Sequence, residues 1–129
     1  MPDPALRVAI LARSVAPLHG LGGLERHVHD LVHHLARRNV AVTLITKPPL
    51  NDIVASSPLS DAFDAPPDRV RLITVPYVTF PGAGRRGTTV IDRSTAYPVF
   101  GWRAGRVAVR LAHRGEVDLV HALGACFIV

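Results

Sequence analysis

The sequence predicts an α/β fold: a parallel sheet of about four strands, in the order 3-2-1-4, with helices on its faces. Three observations predict it. Short apolar runs rich in β-formers alternate with longer stretches whose apolar residues recur every three or four positions, as in strand-helix-strand units with right-handed crossovers. A glycine cluster, "HGLGGLERH" over residues 19–27, joins the first run to the first helical stretch. Five prolines then fall within residues 48–68, between the second and third runs.

Residues 6–12, "LRVAILA", carry charge only at Arg7 and predict a first strand buried on both faces. Over residues 23–38, Leu24, Val28, Leu31, Val32 and Leu35 line one face of a helix, while Arg26, Asp30, His33 and Arg37 cover the other. Arg37 and Arg38 occupy the last turn, where cations suit the helix dipole. Residues 40–46, "VAVTLIT", predict the second strand, ended by Pro48 and Pro49. Residues 48–68 read as a long surface excursion with one helical turn over residues 59–63.

Residues 69–75, "RVRLITV", predict a third strand closed by Pro76. Residues 81–95, with "PGAGRRGTT", read as a second flexible excursion. Pro98 suits the start of a helix reaching Arg114, with Phe100, Val107, Ala108 and Leu111 buried and Gly115 just past the end. Residues 117–122, "VDLVHA", predict the fourth strand, and the final "GACFIV" is an apolar run without an evident partner. The arrangement is Rossmann-like, and a doubly wound sheet would continue with a helix and a further strand. Residues 1–129 therefore read as a single, partial domain.

Composition narrows the partners. The chain has 129 residues, 15 Lys plus Arg against 10 Asp plus Glu, and a net charge of +5, which favours an anionic ligand or an acidic membrane surface. Aromatic residues make up only 5%, and no basic run alternates with stacking rings, so nucleic acid is disfavoured. Cys126 is the only cysteine, which excludes an internal disulfide and a cysteine-based zinc site and suits a reducing, cytoplasmic setting. The apolar start is too short for a membrane span, which leaves peripheral membrane association open.

The glycine cluster lies where open α/β sheets bind ligands, beyond the carboxyl ends of their strands. Glycines permit close backbone approach, and a helix beginning near Gly23 aims free N–H groups and its positive dipole end into that crevice, which favours a phosphate. The plainer reading is a turn that reverses the chain. A dinucleotide fingerprint starting at Gly20 and Gly22 fails because Glu25 stands where a third glycine is needed. Strand two ends in Lys47 rather than an acid, and no P-loop motif is present. An NAD-dependent oxidoreductase is thus disfavoured.

The stretch "LRVAILARSVAPLHGLGGLERHVHDLVHHLARRNVAVTLIT", residues 6–46, closely resembles the opening of family 4 glycosyltransferases, and "VDLVHALG" resembles their fourth strand, usually D-[VIL]-[VI]-H-x-H. The resemblance implies half of a two-domain GT-B architecture, the acceptor-side half of a retaining enzyme that moves a sugar from a nucleoside-diphosphate sugar to an acceptor hydroxyl. It implies that Gly20, Gly22 and Gly23 meet the donor diphosphate, and that no metal or other cofactor is needed. Most donor contacts, including a Glu-x7-Glu motif, belong to a second, C-terminal domain, without which this domain would be inactive. His121 matches the first histidine of the motif and is the candidate catalytic residue, whereas Leu123 stands in place of the second.

Other residues carry weaker signals. His19 in the glycine segment, with Arg85 and Arg86, is a candidate acceptor-binding group. His29 and His33 have the i, i+4 spacing that can chelate a metal, but no further ligands are evident and a solvated face is the simpler reading. Arg103, Arg106, Arg110 and Arg114 form a basic stripe; a solvated face is the first reading and contact with anionic lipid the second. The alternative to an enzyme is a noncatalytic nucleotide- or anion-binding α/β module, or a degenerate remnant.

Overall fold

The computed structural model describes residues 3–16, 18, 23–48, 59–66, 68–76 and 89–123, with backbone alone at residues 59 and 89–98. The elements run β1 (Leu6–Leu11), α1 (Gly23–Arg37), β2 (Val40–Thr46), α2 (Leu59–Ala62), β3 (Val70–Thr74), α3 (Thr89–His113) and β4 (Leu119–Ala122). All strand pairs are parallel and the order is β3-β2-β1-β4, as the sequence predicts. Val8 pairs with Val42 and with Leu119, and Ile10 pairs with Leu44 and with His121.

Alternation along β1 divides the core between the two sheet faces. Val8 and Ile10 join Val42 and Leu44 beneath α1, where Val28 and Val32 are fully buried and Leu31 and Leu35 pack at the margin. Ala9 and Leu11 join Ile45, Phe100, Ala104, Ala108 and Leu111 beneath α3. Each fully buried valine or leucine contributes about 1.5–3 kcal/mol, so the 3.6-residue periodicity of α1 is enforced by the sheet. Leu24, expected on the buried face, is exposed. It sits in the first turn of α1.

Helix ends follow local chemistry. Asn39, at φ 63°, closes α1 with its N–H on the Ala36 carbonyl, and asparagine tolerates this left-handed conformation. Gly115, at φ 71°, ends α3 in a Schellman motif: its N–H donates to Ala112 and that of Glu116 to Leu111.

The start of α3 corrects the sequence reading. The helix begins at Thr89, so residues 89–95 belong to it rather than to a flexible excursion, and Pro98 lies inside it rather than at its first turn. Gly82, Gly84 and Gly87, the residues that signalled an excursion, all precede Thr89. No described helix is long and apolar enough to cross a membrane.

Candidate functional site at the strand carboxyl ends

The crevice beyond β1, β2 and β4 is built on a rigid floor. After β1 the chain stays buried through Ala12, Ser14, Val15, Ala16 and Leu18. The Ala12 N–H donates to Ile45 (3.1 Å), the buried Thr46 hydroxyl donates to the Arg13 carbonyl (3.0 Å), and the Ala16 N–H donates to Glu25 (3.1 Å). These bonds tie the β1 exit to the end of β2 and the first turn of α1, fixing where that helix points.

Gly23 opens α1, is exposed, and has no described atom within 4 Å of where a Cβ would lie. The first turn of a helix carries N–H groups without intrahelical partners and the positive end of its dipole, and here that turn is exposed at Gly23 and Leu24. His19, Gly20, Gly22, Arg85 and Arg86 lie outside the described residues.

Two cations at this end escaped the sequence reading. Arg13 follows β1 and Lys47 follows β2, and both are half-buried. Burial pushes the Lys47 ammonium below its ordinary value, the nearby Arg13 charge acts the same way, and Glu25 opposes both. Arg13, Lys47 and Glu25 thus interact electrostatically where β1, β2 and α1 meet. The available signal was a cation just past each of two adjacent strands.

His121 is exposed on β4, paired with Ile10 on the α1 side of the sheet. No described residue hydrogen-bonds to its ring. Leu123, two residues on, packs against the core cluster beneath α1, and its N–H donates to the Leu11 carbonyl (2.9 Å). Leucine at this position closes the floor where a second histidine would place a polar ring.

His29 and His33 reach the end of α2. His29 Nε2 lies 3.0 Å from the Ala62 carbonyl oxygen and His33 Nδ1 lies 2.9 Å from that of Phe63, contacts that require each nitrogen to carry a proton and donate. Among the described residues no three of His, Cys, Asp and Glu come together as metal ligands.

A parallel sheet in the order β3-β2-β1-β4 with helices on its faces defines a Rossmann-like α/β domain. Residues 21–128 match the sequence model of Glycosyltransferase Family 4, and the chain belongs to that family. No individual curated protein matches it.

Proposed function

We propose that this chain is the N-terminal, acceptor-side domain of a retaining glycosyltransferase that moves a sugar from a nucleoside-diphosphate sugar to an acceptor hydroxyl. One observation carries the reading: the open first turn of α1 shares the strand-end crevice with Arg13 and Lys47. Membership of Glycosyltransferase Family 4 supports it.

In this reading the donor diphosphate lies against the α1 N-terminus, with Gly20, Gly22 and Gly23 allowing the backbone to approach. The bond between anomeric carbon and diphosphate oxygen breaks while the acceptor oxygen bonds to that carbon on the same face. The electron pair of the broken bond stays on the diphosphate oxygen, which takes up the acceptor proton as the new bond forms. Backbone N–H groups, Arg13 and Lys47 stabilise the diphosphate charge; one well-placed donor of this kind contributes about 3–4 kcal/mol to catalysis. His121 stands across the crevice to position the reacting groups, and His19, Arg85 and Arg86 hold the acceptor. A second α/β domain supplies the remaining donor contacts, and catalysis rests on positioning and electrostatics, with no metal. The lone Cys126 suits a reducing, cytoplasmic setting.

The test is a polypeptide carrying both domains, assayed against a panel of nucleotide sugars and acceptors. The expected result is release of nucleoside diphosphate with retained anomeric configuration, sharply reduced by Gly22→Val. Turnover undiminished by that bulky substitution overturns the assignment of the loop. Nucleotide binding without any transfer favours the noncatalytic module.

A further inference from the structure

The exposed face of α3 around Trp102 is built differently from an ordinary solvated helix surface. Trp102 is 54% exposed and Val109 53% exposed, and they lie seven residues apart on one stripe of the helix. Gly101 and Gly105 carry no side chains, which leaves a shallow concavity lined by Gly101, Trp102, Gly105, Arg106, Val109 and Arg110. The Arg106 guanidinium sits 5.0 Å from the centre of the Trp102 ring, within cation–π range. Between Val99 and His113 the helix has Arg103, Arg106 and Arg110 and no acidic residue. Among the described residues none of those three arginines forms a salt bridge.

Charge selects what can cover this face. A second copy of the same face would set like charges against each other. An apolar segment laid over it would bury guanidinium groups without counter-charges, which is strongly unfavourable. An anionic surface satisfies the arginines while accepting an indole and a valine at its apolar boundary, the arrangement seen in helices that lie in the plane of a membrane. Such a surface also suits a row of cations spread along the helix, because its charge is repeated rather than fixed at one point.

We propose that the face of α3 centred on Trp102, Arg106, Val109 and Arg110 docks on an anionic lipid surface, with Trp102 at the level of the headgroups. The inference is independent of the crevice and of any sugar transfer.

Trp102 is the only tryptophan in the chain, so its fluorescence reports this face alone. The test mixes the full chain with vesicles of phosphatidylcholine containing about 30% phosphatidylglycerol, and with vesicles of phosphatidylcholine only. On the anionic vesicles the chain co-sediments, Trp102 emission shifts to the blue, and lipids brominated high on the acyl chain quench it. Added salt reverses the binding. The double variant Arg106→Glu/Arg110→Glu, its fold checked by circular dichroism, partitions at least about thirtyfold more weakly. The proposal is overturned if the unaltered chain stays in solution, or if it binds with Trp102 unquenched. It is equally overturned if the folded double variant binds as well as the parent, or if sedimentation velocity shows self-association that buries Trp102 instead.

Discussion

The Arg7 guanidinium grips both carboxylate oxygens of Asp118, Nη2 to Oδ1 at 2.9 Å and Nε to Oδ2 at 3.2 Å, while the Arg7 backbone N–H donates to Oδ2 at 3.0 Å. The remaining guanidinium nitrogen, Nη1, donates to the Gly115 carbonyl, and the Asp118 N–H returns a 2.7 Å bond to the Arg7 carbonyl. These bonds set β4 beside β1 at the amino end of the sheet. Register then carries His121 to the position opposite Ile10. Aspartate and histidine of "DLVH" thus act at opposite ends of one strand, the first placing the second.

That pairing gives the acid limb of stability a specific source. Arg7 holds the Asp118 carboxyl below its ordinary range, first through side-chain hydrogen bonding, and Asp118 raises the Arg7 guanidinium in turn. Because the folded pKa of Asp118 is the lower one, its contribution is complete above roughly pH 4, the ordinary carboxylate value. It is lost as pH falls through the folded value. The Arg7 contribution, raised above an already high value, persists throughout that window. Asp118→Asn should therefore flatten the dependence of urea-unfolding free energy on pH below about pH 4, and lower stability at neutral pH. A variant as acid-sensitive as the parent would show that the pairing is not responsible. Both side chains are more than 40% exposed, so the effect is small beside the core terms.

The attachment of α2 rests on a ladder along α1. His29, His33 and Arg37, spaced by four, face the carbonyl oxygens of Ala62, Phe63 and Asp64, where donors suit the end of a helix. Phe63 is fully buried and lies 5.3 Å from the His29 ring. Phe63→Ala should cost about 3–5 kcal/mol through the cavity it leaves. His33→Ala, which strips the donor shared by the Phe63 and Asp64 carbonyls, should cost about 1–2 kcal/mol. Chemical denaturation measures both, and a His33→Ala chain as stable as the parent would remove the ladder from the account of stability. Zinc should not raise the melting temperature, since among the described residues no third His, Cys, Asp or Glu joins the two rings.

Much of this fold is legible in the sequence because the deciding interactions are local and periodic. Val28 and Val32 sit one turn apart and end up under the same sheet, and Gly115 announces a left-handed helix cap from its type alone. The start of α3 is illegible for the opposite reason: glycines upstream and Pro98 within are both ordinary signals of a break, and the helix continues across the proline. The histidine ladder and the Arg13–Lys47 pair are likewise hidden. Each depends on residues roughly thirty positions apart that meet only after the sheet has formed. His121 was visible as a chemical type, while the open face around it is a property of β4 lying at the sheet's edge.

Lys47 offers a direct reading of crevice charge. Its ammonium is partly desolvated and feels the Arg13 charge, with Glu25 acting in the opposite sense. Lys47→Met keeps the aliphatic stem and removes the charge. Thermal stability should be unchanged or slightly raised, while, if the proposed donor site is right, affinity for a nucleoside diphosphate measured calorimetrically should fall about tenfold. Unchanged affinity would exclude Lys47 from the anion site.

Gly23→Ala separates a turn from a docking point. The glycine has no positive φ and no described neighbour within 4 Å of an added Cβ, so alanine fits without strain and reduces the entropy of the unfolded chain. Stability should rise by about 0.4–1 kcal/mol, read as a higher denaturation midpoint at unchanged slope. The methyl group, however, projects into the same open space where a diphosphate would approach the first N–H groups of α1. If the crevice binds such a group through the backbone, affinity for nucleoside diphosphate should fall tenfold or more even as the protein becomes more stable. Opposite movement of the two quantities is the signature of a ligand site, because a glycine that merely turns the chain would change stability alone. A more stable chain with undiminished nucleotide affinity would place the diphosphate away from α1.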